Sequence, residues 1–295
     1  MSIHRFVLHN DQIRGAAETF PSAGQVGLLS GWGVFSTLRV ADGVSFAFER
    51  HWSRMARDAE RMHIPMPADS GLVRQSLHAL VDANDAPNCT LRLLVVRNGG
   101  GMWEGPSNGR ASDLIALTAD SKNWGSGVRL TIQPEARHST SEFAGAKILS
   151  WGTNLTWLEN AQNRGFDEAI LLNERGEITE CTSANIFAAN GSRVFTPPLS
   201  AGCLPGITRE LLLSEVRVPG FQIEEKTLRP EDLARADEVF ITSTTRDLLP
   251  VISVDGSAMR GLSRALPVLQ GEFRRYLEEY IASHVAARGL VTVPA

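Results

Sequence analysis

At Glu49 the spacing of apolar residues changes from every second position to every third or fourth, and this switch constrains the fold more than any other feature. Before it, residues 34–40 and 44–48 read as two strands around Ala41-Asp42-Gly43, because Asp-Gly between apolar runs favours a tight hairpin turn. After it, Trp52, Met55, Ala56, Ala59 and Met62 recur at helical spacing until Ile64-Pro65-Met66-Pro67 ends the pattern. The same reading predicts a helix over 70–83 and strands over 90–96 and 114–118. The polar, glycine-bearing stretch 120–127 reads as a linker. Beyond it come a strand at 128–133, a helix at 153–163 and a meander over 168–172, 177–181, 185–189 and 193–196. Pro205-Gly206 opens a helix that runs to Val216, and strands follow at 238–242 and 250–254. Phe273, Leu277, Tyr280, Ile281 and Val285 form one face of a C-terminal helix. Strands grouped with helices, rather than alternating strictly with them, favour an α+β chain over a doubly wound sheet. The expected division is a small domain at 1–119, a linker at 120–127 and a large domain at 128–295.

Composition narrows the function. A net charge of −4, a pI near 6.0 and the lack of a basic block argue against a nucleic-acid partner. Apolar runs such as Leu211-Leu212-Leu213 fall far short of the roughly 20 residues a membrane helix needs. Met1-Ser2-Ile3-His4-Arg5 has no apolar signal region, and Cys89, Cys181 and Cys203 are scattered without a CxxC pattern. We therefore expect a cytoplasmic protein without a metal.

Four segments carry chemistry. Lys122, Lys147 and Lys226 are the only lysines, and Gly145-Ala146-Lys147-Ile148 leaves space around an amine. In Ile178-Thr179-Glu180-Cys181 alternation places Glu180 on the Ile178 face, where a carboxylate needs a cation or hydrogen bonds. In Leu204-Pro205-Gly206-Ile207-Thr208-Arg209 a glycine before a helix exposes N–H groups at its positive end, an arrangement suited to phosphate. Thr208 there serves as helix cap, as anion ligand or as both. Thr242-Ser243-Thr244-Thr245 places four hydroxyls after an apolar strand. Arg54, on the polar face of the first helix, offers a guanidinium to the same anion. Each segment alone also reads as ordinary structure: a surface lysine, an edge-strand glutamate, a loop-to-helix junction, a helix N-cap before Arg246, a solvated arginine. Jointly they supply an amine nucleophile, a strand carboxylate and phosphate-binding hydroxyls, which is what pyridoxal 5'-phosphate requires.

The order of these motifs resembles the class IV, fold type IV, pyridoxal-phosphate aminotransferases. This family includes branched-chain and D-amino acid aminotransferases and aminodeoxychorismate lyase. The likeness starts at Gly31-Trp32-Gly33-Val34-Phe35-Ser36-Thr37-Leu38-Arg39 and His51-Trp52-Ser53-Arg54-Met55. It continues through Lys147, residues 165–169 and 176–187, Thr196-Pro197-Pro198, residues 204–209, residues 242–247 and Pro250-Val251. It implies a two-domain fold with the cofactor between the domains, a homodimer, and amino-acid and 2-oxo-acid substrates. By the same resemblance Lys147 is the covalent lysine, Glu180 the partner of the ring nitrogen, and Leu204 a residue packed on the ring. Arg54, Ile207, Thr208, Ser243 and Thr244 form the phosphate cup. Phe35 stands where D-amino acid enzymes carry a tyrosine, and no tyrosine precedes Tyr276. Asn154 or a water would then meet the cofactor's phenolic oxygen. Arg97 aligns with a substrate-carboxylate ligand of D-amino acid aminotransferases, and Arg92 with a region used by branched-chain enzymes. The loop 99–109 reads as a lid or as a plain surface loop. Two other functions fit parts of the pattern. One is a lyase of the aminodeoxychorismate type, in which Lys147 helps expel pyruvate. The other is a phosphate-binding protein without catalysis, which leaves Lys147 and Glu180 without a task.

Overall fold

The computed structural model describes residues 2–18, 25–102, 109–261 and 264–289. Its contacts divide into two compact units. The first comprises 1–122, 147–151 and 277–295, and the second 123–146 and 152–276.

The first unit contains β1 (Ile3–His9), β2 (Gln12–Gly15), α1 (Val26–Ser30), β3 (Gly33–Ala41), β4 (Val44–Ser45), α2 (Phe48–Arg61), α3 (Ser70–Ala83), β5 (Cys89–Arg97) and β6 (Ser112–Ala119). The six strands form one antiparallel sheet in the order β2-β1-β6-β5-β3-β4 among the described residues. The β3–β4 hairpin turns through Asp42 and Gly43, both at positive φ (48° and 75°), as the Asp-Gly signal requires. The second strand is cut short at Ser45 because Ala47, at φ 52°, starts α2. One sheet face packs on α2 and α3 through Val34, Leu38, Val40, Leu91, Leu93 and Val95 against Met55, Ala59, Leu77 and Leu80. The other face carries Phe35, Thr37, Arg92 and Leu94.

The second unit contains β7 (Val128–Arg137), α4 (Gly152–Asn163), β8 (Glu168–Asn173), β9 (Ile178–Cys181), β10 (Asn185–Asn190), β11 (Arg193–Thr196), α5 (Ile207–Ser214), β12 (Gln222–Glu225), α6 (Pro230–Arg235), β13 (Glu238–Ser243), β14 (Asp247–Val254) and β15 (Ser257–Ala258). Of a final helix, α7 (Ala265–Gly289), residues 265–276 belong to this unit and the rest to the first. The sheet order is β12-β11-β10-β13-β14-β7-β8-β9, with β15 on β14. Antiparallel pairs dominate, and β7–β8, β7–β14 and β11–β12 are parallel. Ile170, Ile178, Ile186, Val239 and Ile241 centre the core. Strands clustered in this way bear out the α+β reading.

Residues 246–249 form no helix. Ser243 pairs with Asp247 across a β13–β14 hairpin, because continued pairing up to Pro250 buries Leu248 and Leu249. No described helix is long and apolar enough to cross a membrane. Residues 103–108 of the expected lid loop lie outside the described residues.

Candidate active site

In the first unit, three candidate residues gather on β3. The segment 147–149 lies along the β3 edge as a short added strand. Phe35 N donates to Lys147 O at 3.1 Å, and Leu149 N donates to Gly33 O at 2.8 Å. A glycine at 33 is required for this approach, since a Cβ there would collide with the Leu149 side chain and lie 2.8 Å from Val95 O. Lys147 N donates at 3.0 Å to Oδ2 of Asp58, whose carboxylate is 0% exposed. The backbone of the lysine is therefore fixed on both sides. Its Nζ lies 4.4 Å from the centre of the buried Phe35 ring and 6.0 Å from that of Trp151, within range of cation–π attraction.

Arg54 does not face solvent. It is 6% exposed and lies in the buried stripe of α2 with His51, Met55, Asp58 and Ala59. Spacings of three, four and seven residues place these on one helix face, and that period overrides the polar character of Arg54. Its Nη2 donates to Ser36 Oγ at 2.8 Å, and Ser36 Oγ lies 2.7 Å from His51 Nδ1. Burial first, then the charges of Arg54 and Lys147, hold the His51 pKa well below 6.5. The sequence motif includes His51 but gives it no role, and it does not reach Asp58. Their position in the apolar stripe was the available signal.

Arg97 and Arg92 separate as alternation predicts, and they differ in what they touch. Arg97 donates to Gly99 O and His63 O, both at 2.7 Å, and stacks 4.2 Å from the Trp32 ring centre. Its guanidinium fastens the strand end. Arg92 sits 4.1 Å over the same Phe35 ring that faces Lys147. Burial lowers its pKa.

In the second unit, Glu180 is 8% exposed. All four residues of β9 are buried, which excludes an exposed edge strand. Arg137 Nε and Nη2 both donate to Glu180 Oε1 at 3.2 Å, and Leu204 N donates to Oε2 at 3.0 Å. Arg137 is thus the cation that a buried carboxylate demands, and nothing in the local pattern of β7 marked it. Asn154 is committed elsewhere: Nδ2 donates to Thr182 O at 2.7 Å and Oδ1 accepts from Arg137 at 3.3 Å. It is therefore no ready partner for a phenolic oxygen.

The contact between Leu204 and Glu180 joins β9 to the start of α5. Leu204 O accepts from Asn185 Nδ2 at 2.9 Å, and Asn185 pairs with Thr242 across β10–β13. Gly206 is the N-cap of α5 and makes no side-chain cap; a Cβ there would collide with Asn185 Oδ1. Thr208 is buried one residue inside the helix rather than at the cap. Ile207 and Thr208 open a helix that packs on β13, the strand that ends in Thr242 and Ser243. Ser243 Oγ accepts from Arg246 N at 3.2 Å, and Thr244 lies in the hairpin turn that follows. Thr242 Oγ1 is buried and meets no hydrogen-bond partner among the described residues.

Each unit by itself presents groups that suit a phosphorylated pyridine aldehyde. In the first, a buried arginine suits a phosphate and a lysine fixed at its backbone suits an aldehyde. In the second, an uncapped helix start and hydroxyls on the neighbouring strand suit a phosphate, and a buried carboxylate held by Arg137 suits a protonated ring nitrogen.

Comparison with known proteins agrees. A family model described as class IV amino-transferase matches residues 33–254. The chain is 29% identical over 271 residues to the D-alanine aminotransferase of Bacillus licheniformis, covering 86% of this chain and 89% of that protein. It is 28% identical over 250 residues to the branched-chain-amino-acid aminotransferase of Salmonella typhimurium, covering 81% of each. The solved structure of the Escherichia coli branched-chain amino acid aminotransferase superposes with a TM-score of 0.85 at 22% identity, covering 93% of this chain and 95% of that one.

Proposed function

The chain belongs to the class IV aminotransferases, and from that premise we propose a pyridoxal-phosphate enzyme that moves an amino group between an amino acid and a 2-oxo acid. When bound, the cofactor supplies a reactive aldehyde and an electron sink for the substrate's α-carbon. The observation that carries the reading is the fixing of Lys147: its backbone is held by Asp58 and the β3 edge, and its amine lies over Phe35.

In this reading Lys147 would hold the cofactor through its Nζ, and the same amine, when free, would take the proton from the substrate α-carbon. Glu180, oriented by Arg137 and Leu204 N, would keep a proton on the ring nitrogen. Leu204 would pack on the ring. Arg54, the N–H groups of Ile207 and Thr208, and the hydroxyls of Thr208, Ser243 and Thr244 would bind the phosphate. Phe35 would form a pocket wall, with Lys147 and Arg92 both close to its ring. Arg92 then reads a substrate carboxylate, because Arg97 already spends donors on Gly99 O and His63 O. A half-buried guanidinium stacked on an aromatic ring, with no carboxylate partner among the described residues, is a strong receptor for one.

We further propose that the protein is a cytoplasmic homodimer. The three free, buried cysteines suit a reducing compartment.

Half-reactions test the function. Purified holoenzyme mixed with single L- or D-amino acids should convert its absorbance to that of the amine form, and a 2-oxo acid should reverse the change. Pyruvate released without any 2-oxo-acid acceptor would instead assign a lyase. No spectral change with any amino donor would remove the catalytic reading.

A further inference from the structure

We propose that Ser36 and His51 are positioning residues for the cofactor's phosphate. They form a one-way hydrogen-bond relay, Arg54 to Ser36 to His51, that orients the Arg54 guanidinium. This rests on the reading that Arg54 binds the phosphate.

The donor inventory sets the direction of the relay. A guanidinium has no acceptor, so Ser36 Oγ must accept from Arg54 Nη2 at 2.8 Å. The single hydroxyl hydrogen of Ser36 is then available to His51 Nδ1 at 2.7 Å. To accept it, Nδ1 must be the bare nitrogen, which leaves the ring proton on Nε2. A protonated His51 would donate from Nδ1 and oppose the Ser36 hydrogen. The relay thus requires a neutral imidazole, and burial beside Arg54 and Lys147 enforces one.

His51 and Ser36 are 1% and 0% exposed, so water has no access to replace either partner. His51 Nε2 is buried with no hydrogen-bond partner among the described residues, which leaves Nδ1 as the nitrogen engaged in the relay. The relay acts through groups that carry no charge. It restricts the arginine's rotamers without offsetting the charge that a phosphate dianion needs. Neither residue touches the phosphate in this account.

Phosphate dependence separates positioning from general damage. Holoenzyme of the parent protein and of the S36A, S36T and H51L variants would be stripped of cofactor. Each would then be titrated with pyridoxal phosphate and, separately, with pyridoxal, following the visible band. The parent should bind the phosphorylated form far more tightly. In S36A and H51L that affinity should fall about tenfold, as loss of a hydrogen bond ordering a charged group implies. Their affinity for pyridoxal should not change, and S36T should keep the parent's ratio. Parallel loss for both ligands, or no loss for either, would overturn the relay and leave the enzyme assignment standing. A parent protein that binds both ligands alike would refute the phosphate role of Arg54 and the relay with it. A parent that binds neither would refute the cofactor reading itself.

Discussion

In the first unit side chains share in holding both candidates: Asp58 accepts from Lys147 N beside the backbone bonds to β3, and Ser36, next to His51, accepts from Arg54. In the second unit backbone groups do more of the holding. Leu204 N fixes one oxygen of Glu180, and the open start of α5 offers N–H groups that no side chain caps. The contrast has a mechanical meaning. An arrangement built from side chains can be dismantled one substitution at a time, whereas backbone donors survive most of them.

Glu180, held by the Arg137 side chain as well as by Leu204 N, should show the largest effect. Glu180→Gln keeps the hydrogen bond from Leu204 but removes the charge that retains a ring proton. Turnover should fall by roughly 10² to 10⁴ in stopped-flow half-reactions, the usual worth of positioned proton chemistry. Unchanged turnover would end the electron-sink role.

Asp58 tests the side-chain-built unit. Asp58→Ala leaves the Lys147 N–H without its acceptor in a buried setting, at a cost of about 1–3 kcal/mol in urea unfolding. Asp58→Asn keeps an acceptor oxygen and should recover most of that loss. Equal losses in the two variants would mean that charge, not the hydrogen bond, anchors the lysine segment.

His51 adds a pH signature. Its folded pKa is depressed, so the folded protein keeps a neutral ring while the unfolded chain takes up a proton near 6.5. The stabilisation is present above that pH and fades as pH falls below it, by at most about 2 kcal/mol by pH 5. Denaturant melts at both pH values should show the difference shrinking in His51→Asn. The smallest effect belongs to the backbone cup: Thr208→Val removes a hydroxyl but no N–H. Cofactor affinity should drop by less than about tenfold, as for one neutral hydrogen bond. A larger loss would show that the hydroxyl, not the helix start, binds the phosphate.

Much of the fold was legible because its signals are local. The change of period at Glu49, the Asp42-Gly43 turn and the glycine before α5 each act over a few residues. The β1–β2 hairpin was missed because His4, Arg5 and His9 interrupt its alternation and Asn10, at φ 60°, makes the turn without a glycine. Alternation leaves Glu180 either inward or on an exposed edge strand, because it cannot show that both faces of β9 are covered. Residue type alone points Arg54 to the polar face of α2, whereas its spacing from His51, Met55 and Asp58 places it in the buried stripe. Arg137 and Asp58 were illegible for another reason. Each is defined by a partner far along the chain, 43 residues away for Glu180 and 89 for Lys147. No pattern within a single element encodes that pairing.

The central claim is that one of three lysines carries the cofactor. Borohydride reduction of the holoenzyme, followed by digestion and mass spectrometry, should place the pyridoxyl group on the Lys147 peptide alone. A label on the Lys122 or Lys226 peptide, or no label on any lysine, would contradict the account.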